Sequence, residues 1–250
     1  MDSFKRSLQL KEKIRAGTQV LGLFVKTPVM QVVEVLAACG LDFLVLDAEH
    51  APFGLGELDS CLLAARAGEI PALVRVGDPT PANILQVLDM GAAGVVIPHV
   101  QSAEGARDAI GATRYSGSRG FSASTRAAGY GAISAEEFRE ASDKSTIVIG
   151  QVEDAAGVDN VDEMAAVALL DALFIGRADL SVSLGADAVE EAVDKICAAG
   201  NAAGRSVGMF LPTLDELQVQ RDKGVTLFAV STDHALLASG ARDLVTGFRA

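Results

Sequence analysis

The sequence contains no tryptophan, few cysteines and no excess of positive charge. Cys39, Cys61 and Cys197 are odd in number and lack metal-ligand or redox spacing, which indicates reduced structural thiols in a cytoplasmic protein. With 33 acidic and 21 basic residues the net charge is -12, which disfavours a nucleic-acid partner. Residues 1–15 lack the apolar centre of a signal peptide, and no apolar run is long enough to cross a membrane. We therefore expect a cytoplasmic protein that binds neither nucleic acid nor membrane.

Short apolar runs alternate with helical periodicity along the whole chain, half of which is hydrophobic. Strands are predicted over residues 18–25, 42–47, 72–76, 94–98, 147–153, 171–176, 206–210 and 227–231. After a first helix within residues 1–15, helices are predicted over residues 28–38, 55–67, 81–90, 103–113, 135–142, 161–167, 188–203, 214–223 and 236–248. No linker divides the chain, and no glycine-rich fingerprint follows the first strand. The pattern predicts an α/β protein with one domain over residues 1–250, a (β/α)8 TIM barrel and not an open doubly wound sheet.

Polar side chains follow several of these strands, at the end where a barrel carries its active site. The apolar run of the fifth strand stops at Gln151 and Glu153, and Asp179 follows the adjacent sixth strand. Two such carboxylates, completed by water and substrate oxygens, suit magnesium or manganese. The other strand-end residues are Asp47, Glu49, His50, Arg75, Gly176 and Arg177.

The histidines differ in their expected roles. His50 stands in a strand-end loop, where an imidazole can act as a general base or be an ordinary polar loop residue. His99, between Pro98 and Val100, is expected to pack, and His234 to cap the last helix or face solvent.

Two cationic side chains at strand ends bear on the chemistry. Arg75 ends an apolar strand, where its fork would bind an anion or a carbonyl, or form a salt bridge with Asp47 or Glu49. A Schiff-base aldolase needs a lysine in the barrel mouth, and only Lys26 qualifies among these strand ends. A metal route to an enolate is favoured.

The sequence resembles the HpcH/HpaI family of metal-dependent pyruvate aldolases over nearly its whole length. The resemblance rests on these blocks: residues 42–52, Arg75-Val76 with Asp89-Met90-Gly91-Ala92, residues 97–106, Gln151-Val152-Glu153 and residues 174–181. It implies reversible cleavage of 4-hydroxy-2-oxo acids to pyruvate, or a related 2-oxo acid such as hydroxypyruvate, and an aldehyde. It also implies a last helix exchanged between subunits and a dimer-based homohexamer.

The resemblance also assigns roles by position. It implies that Glu153 and Asp179 bind a divalent ion (Mg²⁺, Mn²⁺ or Co²⁺), and that Arg75 and Gln151 hold the keto oxygen. His50 paired with Asp89 would move the hydroxyl proton. The backbone amides that would hold the keto-acid carboxylate belong to Gly176, Arg177, Ala178 and Asp179.

Two features of the sequence leave the substrate open. Many family members have proline where this chain has Arg177, and that charge would alter the donor or face solvent. Phe210, with Leu211 and Pro212, and residues 121–126 of a long loop over residues 115–131 are candidate selectors of the aldehyde. The alternatives are a citrate-lyase-like acyl-CoA lyase, with residues 114–126 as its nucleotide patch, and a keto-acid-binding protein without activity.

Overall fold

Eight parallel strands close into a barrel in chain order. The structure is a computed structural model that describes residues 2–250, so Met1, with which the predicted domain begins, lies outside the described residues. The strands are β1 (Val20–Val25), β2 (Phe43–Asp47), β3 (Ala72–Arg75), β4 (Gly94–Ile97), β5 (Ile147–Val152), β6 (Ala172–Ile175), β7 (Ser206–Leu211) and β8 (Val225–Thr232). The predicted TIM barrel is confirmed, and β8 pairs with β1 to close it.

Helices cover the outside of the barrel, joined by short 3-10 turns at Gly129–Gly131 and Ala186–Ala188. The helices are α1 (Asp2–Arg15), α2 (Met30–Ala37), α3 (Leu55–Ala67), α4 (Pro81–Asp89), α5 (Ala103–Thr113), α6 (Ala135–Ser145), α7 (Ala155–Asp159), α8 (Val161–Ala165), α9 (Arg177–Leu184), α10 (Val189–Ala202), α11 (Leu217–Asp222) and α12 (Asp233–Arg249). Within the described part of the chain, no helix is both long and apolar enough to cross a membrane.

Alternation along each strand decides which side chains enter the barrel. In β2, Leu44 and Leu46 pack outward against the helices, whereas Phe43 and Val45 join the inner core. Gly22 of β1 makes room for this core, since a Cβ there would lie 2.4 Å from the Phe43 ring. The same alternation directs the last residue of β2, Asp47, into the mouth of the barrel.

The helix α1 closes the amino-terminal end of the barrel. Leu10 and Ile14 of this helix belong to the inner core. On the same helix, Lys11 is buried and donates to the Thr146 carbonyl (2.6 Å), 3.5 Å from the buried Asp171. Burial lowers the pKa of Lys11 to about 8, although the Asp171 charge opposes this shift. The carboxyl ends of the strands therefore form the open end.

Side-chain caps explain several helix starts that the sequence predicted. Thr80, Ser102, Ser134 and Thr232 each accept a backbone N–H from the first turn of α4, α5, α6 and α12. Helix α9 was not predicted, because its cap is Gly176, which offers no side-chain acceptor. The predicted helix over residues 161–167 is instead the second of two short helices, α7 and α8.

The last helix, α12, starts at the mouth of the barrel and extends into solvent. Its first residue, Asp233, is buried and accepts the backbone N–H groups of Lys26 (2.8 Å) and Thr27 (2.9 Å) at the end of β1. Large apolar side chains farther along the helix are exposed: Leu236, Leu237, Leu244, Val245 and Phe248.

Candidate active site

A cavity of about 290 Å³ opens at the carboxyl ends of the strands. It is lined by Phe24, Lys26, His50, Arg75, Gln151, Phe174, Ile175, Gly176, Arg177, Ala178, Asp179, Phe210 and Thr232. A larger groove, of about 740 Å³, lies beside α1 at the closed end, away from the strand-end polar residues. The smaller cavity is the candidate active site, because residues from seven strands or their following loops meet there.

Arg75 is held rigidly at the floor of this cavity. Its Nε and Nη2 donate to the two oxygens of Asp47 (3.0 and 2.8 Å), the residue beside it in the β2–β3 register. Glu49 Oε2 lies 3.2 Å from Arg75 Nε, and Lys26 Nζ lies 3.3 Å from Asp47. Burial favours the neutral form of Asp47, but the hydrogen bonds and charge of Arg75 outweigh it and lower the pKa. Arg75 thus forms the salt bridges with Asp47 and Glu49 that the sequence offered as an alternative, and it also lines the cavity.

Glu153 is a buried carboxylate, and each of its two oxygens accepts a hydrogen bond. Oε1 accepts the backbone N–H of His99 (2.7 Å), and Oε2 accepts from Gln151 Nε2. Burial raises the pKa of Glu153 against these hydrogen bonds, and the negative charge of Asp179 adds to the rise. A cation at this carboxylate would reverse that effect.

Gly176 allows β6 to approach Glu153 closely. A Cβ at Gly176 would lie 2.6 Å from Glu153 Cβ, 2.7 Å from its Oε2 and 3.3 Å from Gln151 Nε2. Gly176 cannot retreat easily, because its N–H donates to the Val152 carbonyl and its own carbonyl accepts from Leu180 (both 3.0 Å). The carboxylate and the first turn of α9 therefore meet without an intervening side chain.

The expectation that His99 packs is wrong, because its side chain is 57% exposed. Its φ of +51° turns the β4–α5 connection so that the imidazole stands between two carboxylates. Nδ1 lies 3.3 Å from Glu153 and Nε2 3.6 Å from Glu49. Donor atoms of these three residues lie within 4.8 Å of one another, a group that could hold a metal ion. The position of His99 directly after β4 was the signal that could have revealed it.

The first turn of α9 forms another wall of the cavity. Arg177, Ala178 and Asp179 all line it, and the first N–H groups of a helix have no intrahelical acceptor. The Arg177 guanidinium forms ion pairs with Glu190 (3.0 Å) and Glu216.

Aromatic rings form the apolar part of the cavity. Phe24 meets Phe174 and Phe210 edge to face, at centroid distances of 6.1 and 5.9 Å. The Arg75 guanidinium lies 4.9 Å from the Phe24 ring centre. The predicted aldehyde selector Phe210 is therefore part of this wall.

The proposed partners His50 and Asp89 are not brought together within one chain. His50 lines the cavity, and its Nε2 lies 3.8 Å from Glu49 Oε2. Asp89 ends α4 at the closed end of the barrel and forms an ion pair with Arg119 (2.8 Å). One chain does not bring the two residues together, because α4 runs opposite to the strands and ends away from the mouth; the pairing stays a prediction.

The long loop after α5 also lies at the closed end. Arg119 is buried against Asp89, and Arg126 contacts Asp59 (2.6 Å) in α3. Arg114 donates to the Thr146 carbonyl (3.0 Å). Residues 121–126 therefore do not line the chain's own cavity, and their role in selecting the aldehyde stays a prediction. The arginines of this loop are also occupied by protein partners, which disfavours a nucleotide patch.

Comparison with known proteins identifies the family. The model of the family described as "HpcH/HpaI aldolase/citrate lyase" matches residues 20–240.

The chain belongs to this family.

Family members resemble the chain over most of its length. A hydroxypyruvate/pyruvate aldolase of Roseovarius nubinhibens is 35% identical, over 96% of each chain. A 5-keto-4-deoxy-D-glucarate aldolase of Escherichia fergusonii is 34% identical, over 86% of this chain and 87% of its own. The crystal structure of an HpcH/HpaI aldolase/citrate lyase family protein from Burkholderia cenocepacia superposes with a TM-score of 0.92, at 32% identity, over 97% of this chain and 99% of that one. These relatives and the family indicate a carbon–carbon lyase.

Proposed function

We propose that this protein is a divalent-metal-dependent aldolase that reversibly cleaves 4-hydroxy-2-oxo acids to pyruvate, or a related 2-oxo acid such as hydroxypyruvate, and an aldehyde. The observation that carries the proposal is that Arg75 and Gln151 line one cavity, while the buried carboxylate of Glu153 accepts a hydrogen bond from Gln151. A cation site, a fixed guanidinium and an amide side by side suit a substrate whose carbonyl oxygen gains negative charge.

The residues around Glu153 fit a divalent ion. The buried Oε1 of Gln151 makes no hydrogen bond within the described residues, so it remains available to a ligand. Oε2 of Glu49 also accepts no hydrogen bond there, although it is ion-paired with Arg75 Nε at 3.2 Å. Glu153 would hold the ion with Asp179, or with Glu49 and His99 from the opposite side. All of these donors are oxygen or imidazole nitrogen. A bound ion would supply a Lewis acid that stabilises negative charge on the substrate.

Binding of the keto acid is assigned to two groups on opposite sides of the cavity. The free N–H groups of the first turn of α9, from Arg177 to Asp179, would bind the carboxylate. Arg75 and Gln151 would hold the keto oxygen, and the fixed orientation of Arg75 avoids reorganisation as charge develops there. The ring of Phe24 would exclude water from the reacting carbons.

His50 is assigned the proton transfer. In cleavage, its imidazole accepts the C4 hydroxyl proton as the carbon–carbon bond breaks, directly or through one water. Its ring lies at the cavity beside Glu49, while its backbone N–H donates to Asp47 (3.1 Å). Protonation of the enolate then releases pyruvate.

Hydrogen exchange at the pyruvate methyl group tests the proposal without knowledge of the aldehyde. In D₂O, wild-type protein with Mg²⁺, Mn²⁺ or Co²⁺ should exchange the methyl protons, followed by NMR. After treatment with a chelator exchange should stop, and added metal should restore it. Exchange that survives complete metal removal would rule out the metal route. No exchange with any of the ions would rule out the aldolase.

We also propose that the protein is a homo-oligomer built from dimers, assembled as a hexamer, in which α12 packs against a neighbouring copy. The support is the row of exposed apolar side chains on a helix whose first residue is buried. Light scattering after size-exclusion chromatography should give a hexamer for the wild type. Replacing Leu244 and Phe248 together by glutamate should lower the mass, whereas a monomeric wild type would refute the proposal.

A further inference from the structure

Three cationic side chains line the cavity, and they differ in how firmly they are held. Lys26 and Arg75 both contact Asp47, whose side chain is fully buried. Removing either cation from that carboxylate would leave a buried negative charge with only one cationic partner. These two cations are therefore not free to exchange partners with a substrate.

Arg177, in contrast, is paired with two carboxylates that remain in contact with water. The side chains of Glu190 and Glu216 are 55% and 52% exposed. Exposed ion pairs of this kind contribute little, because water solvates both charges after separation. Glu190 also keeps a second partner, Lys223, at 2.8 Å. Arg177 can therefore turn to another anion without leaving a buried charge behind.

The ion-pair partners of Arg177 also show on which side of the cavity its guanidinium lies. Glu216 lies in the connection between β7 and α11, and Phe210 of β7 lines the same cavity as Arg177. Gln151, assigned to the keto oxygen, belongs to β5, and Glu153, assigned to the ion, directly follows this strand, so both lie on the other side of β6. These ion pairs thus hold the guanidinium on the β7 side of β6, away from β5 and toward the part of the cavity left for the second substrate.

We propose that Arg177 selects acceptor aldehydes that carry a carboxylate, by exchanging Glu216 for the carboxylate of the aldehyde. The planar fork of arginine matches this group with two parallel hydrogen bonds. Glu216 competes with the substrate for the same guanidinium, and this competition limits the preference for anionic over neutral aldehydes. The inference rests on the proposed aldolase function, for which it names the acceptor class.

The test compares acceptors of matched length at saturating pyruvate and metal: glyoxylate with glycolaldehyde, and succinic semialdehyde with butanal. The quantity measured is the ratio of kcat/KM for the anionic acceptor to that for the neutral one. Arg177→Gln should lower this ratio about 10- to 100-fold, the usual effect of losing hydrogen bonds to a charged group. Glu216→Gln, which removes the competitor, should raise it by about two- to fivefold.

The outcomes separate the inference from the function on which it rests. A wild type that condenses pyruvate with no acceptor and exchanges no methyl protons would refute both. A wild type active on both acceptor classes, with a ratio that neither substitution changes by twofold, would refute the role of Arg177 alone. If Arg177→Gln does not fold, the Glu216→Gln variant decides, because an unchanged ratio there excludes competition for the guanidinium.

Discussion

Substituting Gly176 by alanine tests how closely the candidate site is packed. The new Cβ would lie 2.6 Å from Glu153 Cβ and 2.7 Å from its Oε2. Carbon atoms in contact lie about 3.5–4.0 Å apart, so one of the two residues must move by about 1 Å. Gly176 is held through its N–H by Val152 and through its carbonyl by Leu180. We therefore expect Glu153 to move and to lose its alignment with Gln151.

The expected effect on activity is larger than the effect on stability. Overpacking of this kind lowers the free energy of unfolding by about 1–3 kcal/mol. Misplacing a catalytic group by about 1 Å lowers the rate roughly 100-fold. The assays are denaturant unfolding and the rate of methyl-proton exchange in pyruvate at saturating metal.

A matched control separates packing from the substitution itself. Gly56 lies in α3, and a Cβ there would meet no atom within 4 Å. Gly56→Ala should leave the exchange rate unchanged and raise stability by up to about 1 kcal/mol, through helix propensity. If Gly176→Ala retained more than a third of the wild-type rate, the close approach of β6 to Glu153 would not matter for the chemistry.

Three further substitutions test separate parts of the structure. Arg75→Ala should abolish both cleavage and methyl exchange and destabilise the fold by about 3–5 kcal/mol, because it leaves the buried Asp47 with a weaker partner; near-normal exchange would exclude its role. His50→Ala should slow cleavage about 100-fold or more, while exchange at the pyruvate methyl group falls less; equal loss of both would argue against a base acting on the C4 hydroxyl. The pKa of Lys11 is lowered from 10.5 to about 8 in the folded protein. Between pH 8 and pH 10.5 the unfolded chain therefore binds more protons than the folded protein, and the free energy of unfolding rises with pH. The free energy of unfolding of the wild type, relative to that of Lys11→Met, should therefore rise by about 1 kcal/mol between pH 7 and pH 9. The measurement is denaturant unfolding of both proteins at the two pH values, and a difference that does not change with pH would contradict the assignment.

Local patterns were sufficient to predict the strands and most helices. The fully buried β5 was recognised from an apolar run that stops at Gln151 and Glu153, because a strand covered on both faces needs apolar residues at every position. Helix α9 escaped prediction because Gly176 gives it no side-chain cap. Its first turn nevertheless carries Asp179, which the sequence had already singled out.

The candidate site was predictable only where a residue follows a strand directly. Arg75 and Gln151 could be placed in one cavity, with Asp47 buried beside Arg75, because strands of a barrel end on the same side. His99 was misjudged, since its neighbours are apolar and its left-handed backbone is invisible in the sequence. The location of Asp89 depends on the direction of α4, which the local residue pattern around it does not reveal.

Asp233 connects the outermost helix to the cavity through the backbone of Lys26 and Thr27. Any movement of α12 that shifts Asp233 also shifts the end of β1, where Lys26 meets Asp47. The assembly proposed through this helix would then be thermodynamically linked to occupation of the cavity. Linkage is reciprocal, so a substrate that strengthens subunit association must itself bind more tightly to the assembled form, by the same factor.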